Sequence, residues 1–306
     1  MSKPQELVVI SGKGGTGKTS VVASFAALAE NKVMVDCDVD AADLHLLLNP
    51  RVQRREEFTG GKTATVIAEA CTACGKCREV CRFEAVSADG PGRDGIPHTY
   101  RIDPIGCEGC GVCAHFCPEQ AIRLEPCING EWFVSETRHG PLVHARLGIA
   151  AENSGKLVSI LRREAQEMAK AEGLPLVIID GSPGLGCPVI ASITGASLVL
   201  IVTEPTLSGL HDLERVADLA AHFAIPAVLC VNKSDLNRDM TRRIVTNAAG
   251  RGLRALGSIR YDAEVTRAQI RGLSVVESGS SLAAQDITRL WGAVHGELAH
   301  NPPTKG

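Results

Sequence analysis

Aromatic residues are scarce in this 306-residue chain: six Phe, two Tyr and two Trp, 3% of the whole. A core with so few rings must be built from Val, Ile, Leu and Ala. Charge of one sign is also lacking. The formal net charge is −3, which exerts no global pull toward nucleic acid or anionic lipid. No run of apolar residues approaches the roughly 20 needed to span a bilayer. The opening "MSKPQELVVISGKGG" is not expected to act as an export signal, because its apolar run is short and leads straight into glycines. These absences favour a cytoplasmic protein with no membrane or nucleic-acid partner. What the chain has in excess is cysteine, twelve in all. Without an export signal, that count points to metal ligation rather than to a disulfide framework. Eight of the twelve fall between Cys71 and Cys117.

The length suffices for one large domain or two modest ones. "LVVIS" (residues 7–11) reads as a buried parallel strand, "KTSVVASFAALAEN" (18–31) as a helix and "KVMVDCD" (32–38) as a second strand ending in acids. That βαβ opening predicts a parallel sheet. The alternation resumes with a helix near 155–173, strands at 176–180 and 197–202, a helix at 209–223, a strand at 226–232 and a helix at 239–252. A packing helix is expected near 282–299, followed by a frayed tail "HNPPTKG". Between about 51 and 140 the alternation stops. The expected fold is therefore α/β, a doubly wound and mostly parallel sheet (1–50 and 141–306) with an inserted domain (51–140) that has its own, metal-dependent core.

"GKGGTGKT" (12–19) matches G-x-x-x-x-G-K-[ST] after a strand and at the start of a helix. Gly12, Gly14, Gly15 and Gly17, with Thr16, let backbone N–H groups turn inward around phosphate oxygens, and the helix N-terminus adds partial positive charge. Lys18 reaches the β- and γ-phosphates, Thr19 holds Mg²⁺, and Ser20 follows in the helix. A chance glycine-rich turn would not have strand, helix and later acids in register. The cofactors expected here are ATP and Mg²⁺.

Lys13, early in the loop, is on its own a solvated charge. "KGGTGKT" resembles, however, the deviant phosphate loop of the MinD/ParA/nitrogenase-iron-protein class of ATPases. In that class this lysine crosses a dimer interface to touch the partner's nucleotide, so the resemblance implies an ATP-dependent homodimer. "VDCDVDAADL" (35–44) resembles the first switch of the class. Asp38 would orient or deprotonate the attacking water and Asp36 would sit near the Mg²⁺ shell, while Asp40 and Asp43 also read as strand-end caps. "VIIDGSPG" (177–184) resembles the second switch, where Asp180 would hold Mg²⁺ through water. "VNKSD" (231–235) resembles the base-recognition segment, with Asn232 near adenine.

The cysteine runs are Cys71-x-x-Cys74-x-x-Cys77-x-x-x-Cys81 and Cys107-x-x-Cys110-x-x-Cys113-x-x-x-Cys117-Pro118. This internal repeat is the bacterial two-cluster ferredoxin pattern, in which the fourth cysteine of each run serves the other cluster, so the insertion at 51–140 is expected to be a ferredoxin-like α+β domain. Cys71, Cys74, Cys77 and Cys117 are expected to hold one [4Fe–4S] cluster, and Cys107, Cys110, Cys113 and Cys81 the second. Arg82 stands where the pattern has proline, which alters a turn without removing a ligand. Zinc is the competing metal for C-x-x-C pairs.

Four cysteines lie outside the runs. Cys37 and Cys230 read as small buried hydrophobes, and Cys127 carries no strong reading. Cys187 follows Asp180 by seven residues, a distance comparable to that of the cluster-ligating cysteine in the nitrogenase iron protein. It is read first as a structural cysteine packed by Pro188, with ligation of an additional cluster as the alternative the resemblance offers. His139 and His144 read as loop hydrogen-bonding residues ahead of metal ligands. "RHGPLVHARLG" (138–148) and "ENSGKL" (152–157) resemble MinD-type ATPases with an inserted ferredoxin domain, so the resemblance spans nearly the whole chain. A cluster pair offers a wire for electrons and the ATPase switch a gate, so the expected function is an ATPase whose nucleotide-switched homodimer gates electron transfer through two [4Fe–4S] clusters to a partner protein. The alternative is an ATP-dependent assembly protein or carrier for an iron–sulfur or mixed-metal cluster.

Overall fold

Leu7, Val8, Val9 and Ile10 are wholly buried, as expected for a strand with covered faces on both sides. They belong to β1 (Gln5–Ser11), in a computed structural model that describes residues 3–93, 95–148 and 154–301. The chain divides into two compact units. Met1–Glu56, Glu131–Arg146 and Ser154–Gly306 form the first, and Glu57–Gly130 with Leu147–Asn153 the second.

After β1 come α1 (Lys18–Leu28), β2 (Lys32–Asp36), α2 (Leu44–Leu48) and the long β3 (Arg51–Val66). The middle of the chain holds α3 (Lys76–Val80), β4 (Val86–Gly90), β5 (Thr99–Ile102), α4 (Val112–His115), a second long strand β6 (Ile122–Thr137) and β7 (Gly140–Leu147). Then follow α5 (Ser154–Glu172), β8 (Leu176–Pro183), α6 (Cys187–Ile193), β9 (Leu198–Thr203), α7 (Leu207–His222) and β10 (Ala227–Val231). The last elements are α8 (Arg238–Gly250), β11 (Arg254–Ser258), α9 (Glu264–Ile270) and α10 (Leu282–His300).

The large sheet runs β11-β10-β9-β1-β8-β2-β7-β6-β3, and every pairing from β11 to β7 is parallel. It is the expected largely parallel α/β sheet. Helices cover both faces because successive strand residues point to opposite sides. Leu7, Val9, Met34, Ile178 and Leu200 share one core with α1, α2 and α10. α5 packs on β2 and β8, α6 on β8, and α7 on β9 and β1. Phe25 of α1 is wholly buried, with its ring centroid 5.0 Å from that of Trp291 on α10. Burial of one such side chain contributes about 1.5–3 kcal/mol. β1 lies between β8 and β9, so the strand order reverses direction around it. The carboxyl ends of strands at such a point are where open α/β sheets form a ligand crevice.

In the second unit β4 and β5 form an antiparallel pair, with Val86 opposite Ile102. Its small core is Ala64, Cys77, Ala85, Val86 and Ile102, joined by Cys81, Tyr100, Cys107, Cys113, Ile122 and Leu124. The sequence repeat is also a backbone repeat. Gly75 (φ 79°) precedes α3 and Gly111 (φ 77°) precedes α4, both in the left-handed conformation that glycine adopts without strain. The stretch 51–140 expected as an insertion overlaps this unit. Its two ends, residues 51–56 and 131–140, are strand segments of the first unit, because β3 and β6 each run for 16 residues through the division. Part of "ENSGKL" and residues 302–306 of the tail lie outside the described residues.

The final helix spans Leu282–His300 and buries Ile287, Leu290, Val294 and Leu298, as its spacing predicts. No helix among the described residues is long and apolar enough to cross a membrane.

Candidate nucleotide site and cysteine-lined cavity

Parallel register sets the acids of the first site. Asp36 at the end of β2 is the register partner of Asp180 on β8, and Val9 of β1 pairs with Asp180 on its other side. The loop after β1 then turns into α1, with Gly15 (φ 79°) and Gly17 (φ 89°) left-handed. A Cβ on Gly17 would lie 2.3 Å from Nδ2 of Asn232, and one on Gly12 would lie 2.4 Å from Cβ of Asp212. Close approach requires glycine at both positions, and at Gly17 the left-handed backbone requires it as well.

Lys18 opens α1 and is 6% exposed. Its Nζ lies 2.5 Å from Oδ1 of Asp180 and 3.3 Å from Oδ2 of Asp38. Burial works against its charge, but Asp180, Asp38 and Asp36 more than restore it, so the pKa is held above the ordinary lysine value. Burial pushes the Asp38 carboxyl up against the pull of Lys18. Asp36 is wholly buried and raised further, by burial first and then by the Asp180 charge. Both Asp36 oxygens are engaged with backbone: Oδ1 accepts from the N–H of Asp38 and Oδ2 from that of Leu44, each at 3.1 Å. This aspartate thus pins the segment between β2 and α2. Cys37 N–H donates to the Asp180 carbonyl (2.8 Å), and Ser182 Oγ donates to the Cys37 carbonyl (2.6 Å). The two stretches that resemble switches are tied together through Cys37.

A cavity of about 410 Å³ opens beside this cluster. Gly14, Gly15, Thr16, Gly17, Lys18, Thr19, Ser20, Asp38 and Asn232 line it, and so do Asp43, Arg260, Tyr261 and Gln269. The sequence gives no sign of the last three. Arg260 is held by Asp286 (2.7 Å), and Gln269 Nε2 donates to Ser20 Oγ (2.9 Å). Asn232 faces the cavity, while its Nδ2 donates to the Thr16 carbonyl (2.7 Å) and braces the loop. Two buried oxygens, Thr16 Oγ1 and Asp180 Oδ2, have no hydrogen-bond partner. Such atoms are rare and call for a ligand. Asp180 Oδ2 is an acceptor of the type that a water on Mg²⁺ would satisfy, so the residues present fit Mg²⁺–nucleotide.

Lys13 is engaged within its own chain. Its Nζ lies 2.6 Å from Oε1 of Glu204 and 3.0 Å from Oγ of Ser208. Lys233 meets the other Glu204 oxygen at 3.2 Å and donates to the Gly15 carbonyl at 3.1 Å. Burial pushes the Glu204 carboxyl up, and these two lysines reverse it to below the ordinary value. Glu204 was missed in the sequence; its signal was an acid just past an apolar strand, as with Asp36 and Asp180.

The second unit has a small cavity whose wall includes Cys71, Cys74, Cys77 and Cys117 with Val66, Tyr100 and Ile122. The fourth thiol comes from the other run, as the spacing predicts. Cys71 Sγ accepts from the N–H of Ala73 (3.5 Å) and Cys117 Sγ from that of Ala121 (3.3 Å). A Cβ on Gly75 would approach Tyr100 Oη to 3.1 Å, and one on Gly109 would meet the Lys62 carbonyl oxygen at 2.0 Å. Cys81, Cys107 and Cys113 gather around the same small core. Among the described residues no three Cys, His, Asp or Glu side chains converge closely enough for one metal ion. Four thiols around a cavity fit a multinuclear cubane, whose sulfur ligands stand farther apart than those around zinc.

Cys37 and Cys230 are wholly buried. Burial pushes the Cys37 thiol above the usual range and that of Cys230 up to about 12. Cys187 begins α6 and is exposed; the packing against Pro188 expected for it does not bury it. Cys127 Sγ lies 3.3 Å from Oδ1 of Asn129. His139 Nε2 bonds Glu277 (2.9 Å) in a turn. His144 lies in β7 rather than a loop, with Nε2 2.9 Å from Ser135 Oγ and its ring stacked on Phe133. Burial lowers its pKa to about 4.

Fold and site define a phosphate-loop nucleotide-binding protein of the α/β class. The chain belongs to the CobQ/CobB/MinD/ParA nucleotide-binding-domain family, whose model matches residues 7–275. An uncharacterized protein of Methanocaldococcus jannaschii is 34% identical over 236 residues, 76% of this chain and 79% of its own length. The septum site-determining protein MinD of Pyrococcus horikoshii, solved with Mg-ADP, shares the fold. Its TM-score is 0.56 at 15% identity, covering 95% of this chain and 96% of that one. A 7Fe ferredoxin of Hydrogenibacillus schlegelii is 38% identical over 71 residues, 22% of this chain and 82% of the ferredoxin.

Proposed function

We propose that this protein is a Mg²⁺-dependent ATPase, acting as a nucleotide-switched homodimer, that gates electron transfer through two [4Fe–4S] clusters to a partner protein in the cytoplasm. The observation that carries the reading is the presence, in one chain, of a phosphate loop whose Lys18 is paired with Asp180 and of a cavity whose wall includes Cys71, Cys74, Cys77 and Cys117. In the first unit Lys18 and Thr19 would take the phosphates and Mg²⁺, Asp180 would hold Mg²⁺ through water, and Asp38 would position the attacking water. Loss of the γ-phosphate would be felt at Asp180 and passed through Ser182 and Cys37 to the segment leading into α2. In the second unit Cys71, Cys74, Cys77 and Cys117 would hold one cluster, and Cys81, Cys107, Cys110 and Cys113 the other. The clusters supply one-electron transfer. The Mg-ADP of the Pyrococcus protein and the likeness to ferredoxin support the two halves of this reading.

The exposed Cys187, beside the second switch stretch, favours a second reading as an assembly protein or carrier for a cluster. Iron per chain on anaerobic protein, with and without MgATP, separates the two. The gated electron carrier expects about eight irons in every sample, including Cys187→Ser. Excess iron in the wild type that vanishes in Cys187→Ser would transfer the assignment to the carrier. Lys18→Ala is expected to abolish ATP hydrolysis with the iron content unchanged.

A further inference from the structure

The two cysteine runs repeat in spacing and in backbone, and the first is held by an arginine from outside its loop. Arg93 lies between the runs, where its N–H donates to the Ile96 carbonyl (2.9 Å) and its carbonyl accepts from Ile96 (2.8 Å). That turn aims its guanidinium at the first run: one nitrogen donates to the Glu69 carbonyl and Nη2 donates to the Cys71 carbonyl at 2.9 Å. Arginine stays charged at any working pH. We propose that Arg93 raises the reduction potential of the cluster site formed by Cys71, Cys74, Cys77 and Cys117 above that of the second site, making the first site the preferred resting place of the electron. The proposal rests on the two-cluster reading.

The direction follows from charge. A [4Fe–4S] centre with four thiolates gains one negative charge when it accepts an electron, so a fixed cation bonded to the backbone of the ligand Cys71 stabilises the reduced form. Hydrogen bonds to ligand sulfur act in the same sense; both sites have them, at Cys71 and Cys117 in the first and at Cys113 in the second, so the guanidinium is what sets the first apart. Burial acts in the opposite sense, and Cys71 and Cys77 are each only 8% exposed. That opposition is limited, because Cys74 in the first site and Cys110 in the second are both exposed, leaving each site open to water on one side. At the matching positions the second run has Val112 and Ala114 where the first has Lys76 and Arg78, and only His115, opposite Glu79, runs the other way, so the run sequences add to the charge that Arg93 brings to the first site.

The test is an anaerobic redox titration of the full chain followed by electron paramagnetic resonance, in wild type, Arg93→Gln, Arg93→Lys and Arg101→Gln. Arg101 is a control cation on β5 of the same unit, paired with Asp89 at 4.0 Å. Iron is measured on every sample. Arg93→Gln is expected to lower the higher of the two midpoints, so that the ratio of reduced to oxidised cluster at a fixed potential falls about tenfold, 59 mV for a one-electron couple. The lower midpoint stays in place, Arg93→Lys recovers most of the change, and Arg101→Gln moves neither. A shift of the lower midpoint, of both or of neither overturns the proposal, and so does loss of iron in Arg93→Gln. Wild-type iron well below about eight would instead overturn the two-cluster reading.

Discussion

Lys13 and Glu204 are joined within one chain, Nζ to Oε1 at 2.6 Å, although the resemblance of "KGGTGKT" implies a lysine directed at the nucleotide of a partner subunit. In the proposed homodimer the lysine would have to leave Glu204, so the acid would act as a brake on dimer formation. Lys233 remains to steady the loop through the Gly15 carbonyl. A half-exposed ion pair is worth about 0.2–1 kcal/mol. Glu204→Gln is therefore expected to lower the ATP concentration for half-maximal dimerisation about two- to fivefold, as followed by light scattering. An unchanged or higher requirement would show that the pair does not oppose dimerisation.

Arg162 of α5 and Glu6 of β1 form a buried fork, with Nη2 to Oε2 at 2.9 Å and Nε to Oε1 at 3.2 Å. The same guanidinium donates to the Ala191 and Thr194 carbonyls at the end of α6. Removing one partner strands the other charge out of water. Arg162→Met is expected to cost about 3–5 kcal/mol, and adding Glu6→Gln is expected to recover a part of it. Urea unfolding of the single and double variants measures both; a double variant as unstable as the sum of the two singles would contradict coupling.

Glu277 is the anchor of another cluster, in which Arg138, His139 and Ser274 all donate to its carboxylate. Burial pushes this carboxyl up, but those bonds overcome it and hold the pKa at about 2. A depressed carboxylate gives stability that is complete above its unfolded value, near 4.3, and is lost as pH falls toward 2. Acid unfolding of the wild type should therefore steepen between those limits, and Glu277→Gln should flatten that part of the curve. The variant is expected to lose about 1–3 kcal/mol at neutral pH. An identical pH profile for the two proteins would remove Glu277 from the account.

The strands and helices around the phosphate loop were legible because buried parallel strands read as unbroken apolar runs, as in "LVVIS" and "SLVLIV". β3 and β6 were not. β3 opens on seven exposed residues, β6 is half-buried along much of its length, and the two include Gly60, Gly61 and Gly130, so neither a long apolar run nor a clean period marks them. α2, α6 and α9 are at most seven residues long, too short to display a helical period. Within the site, the loop residues and acids were visible as motif and strand-end pattern. The bond from Lys13 to Glu204 joins residues 191 apart, and that from Arg93 to Cys71 depends on a turn between the cysteine runs. Spacing along the chain contains neither.

The scarcity of rings has an optical consequence. Only two tryptophans emit, and each sits on a different element: Trp132 beneath the Arg54 guanidinium on β6, and Trp291 against Phe25. Phe25 belongs to the helix that Lys18 begins, two turns downstream. Trp291 fluorescence is thus a native gauge of how α1 shifts when its first residue changes partners, and replacing Trp132 would leave that signal uncontaminated. The sparse core that excluded a ring-built interior also provides a single-colour reporter without a dye.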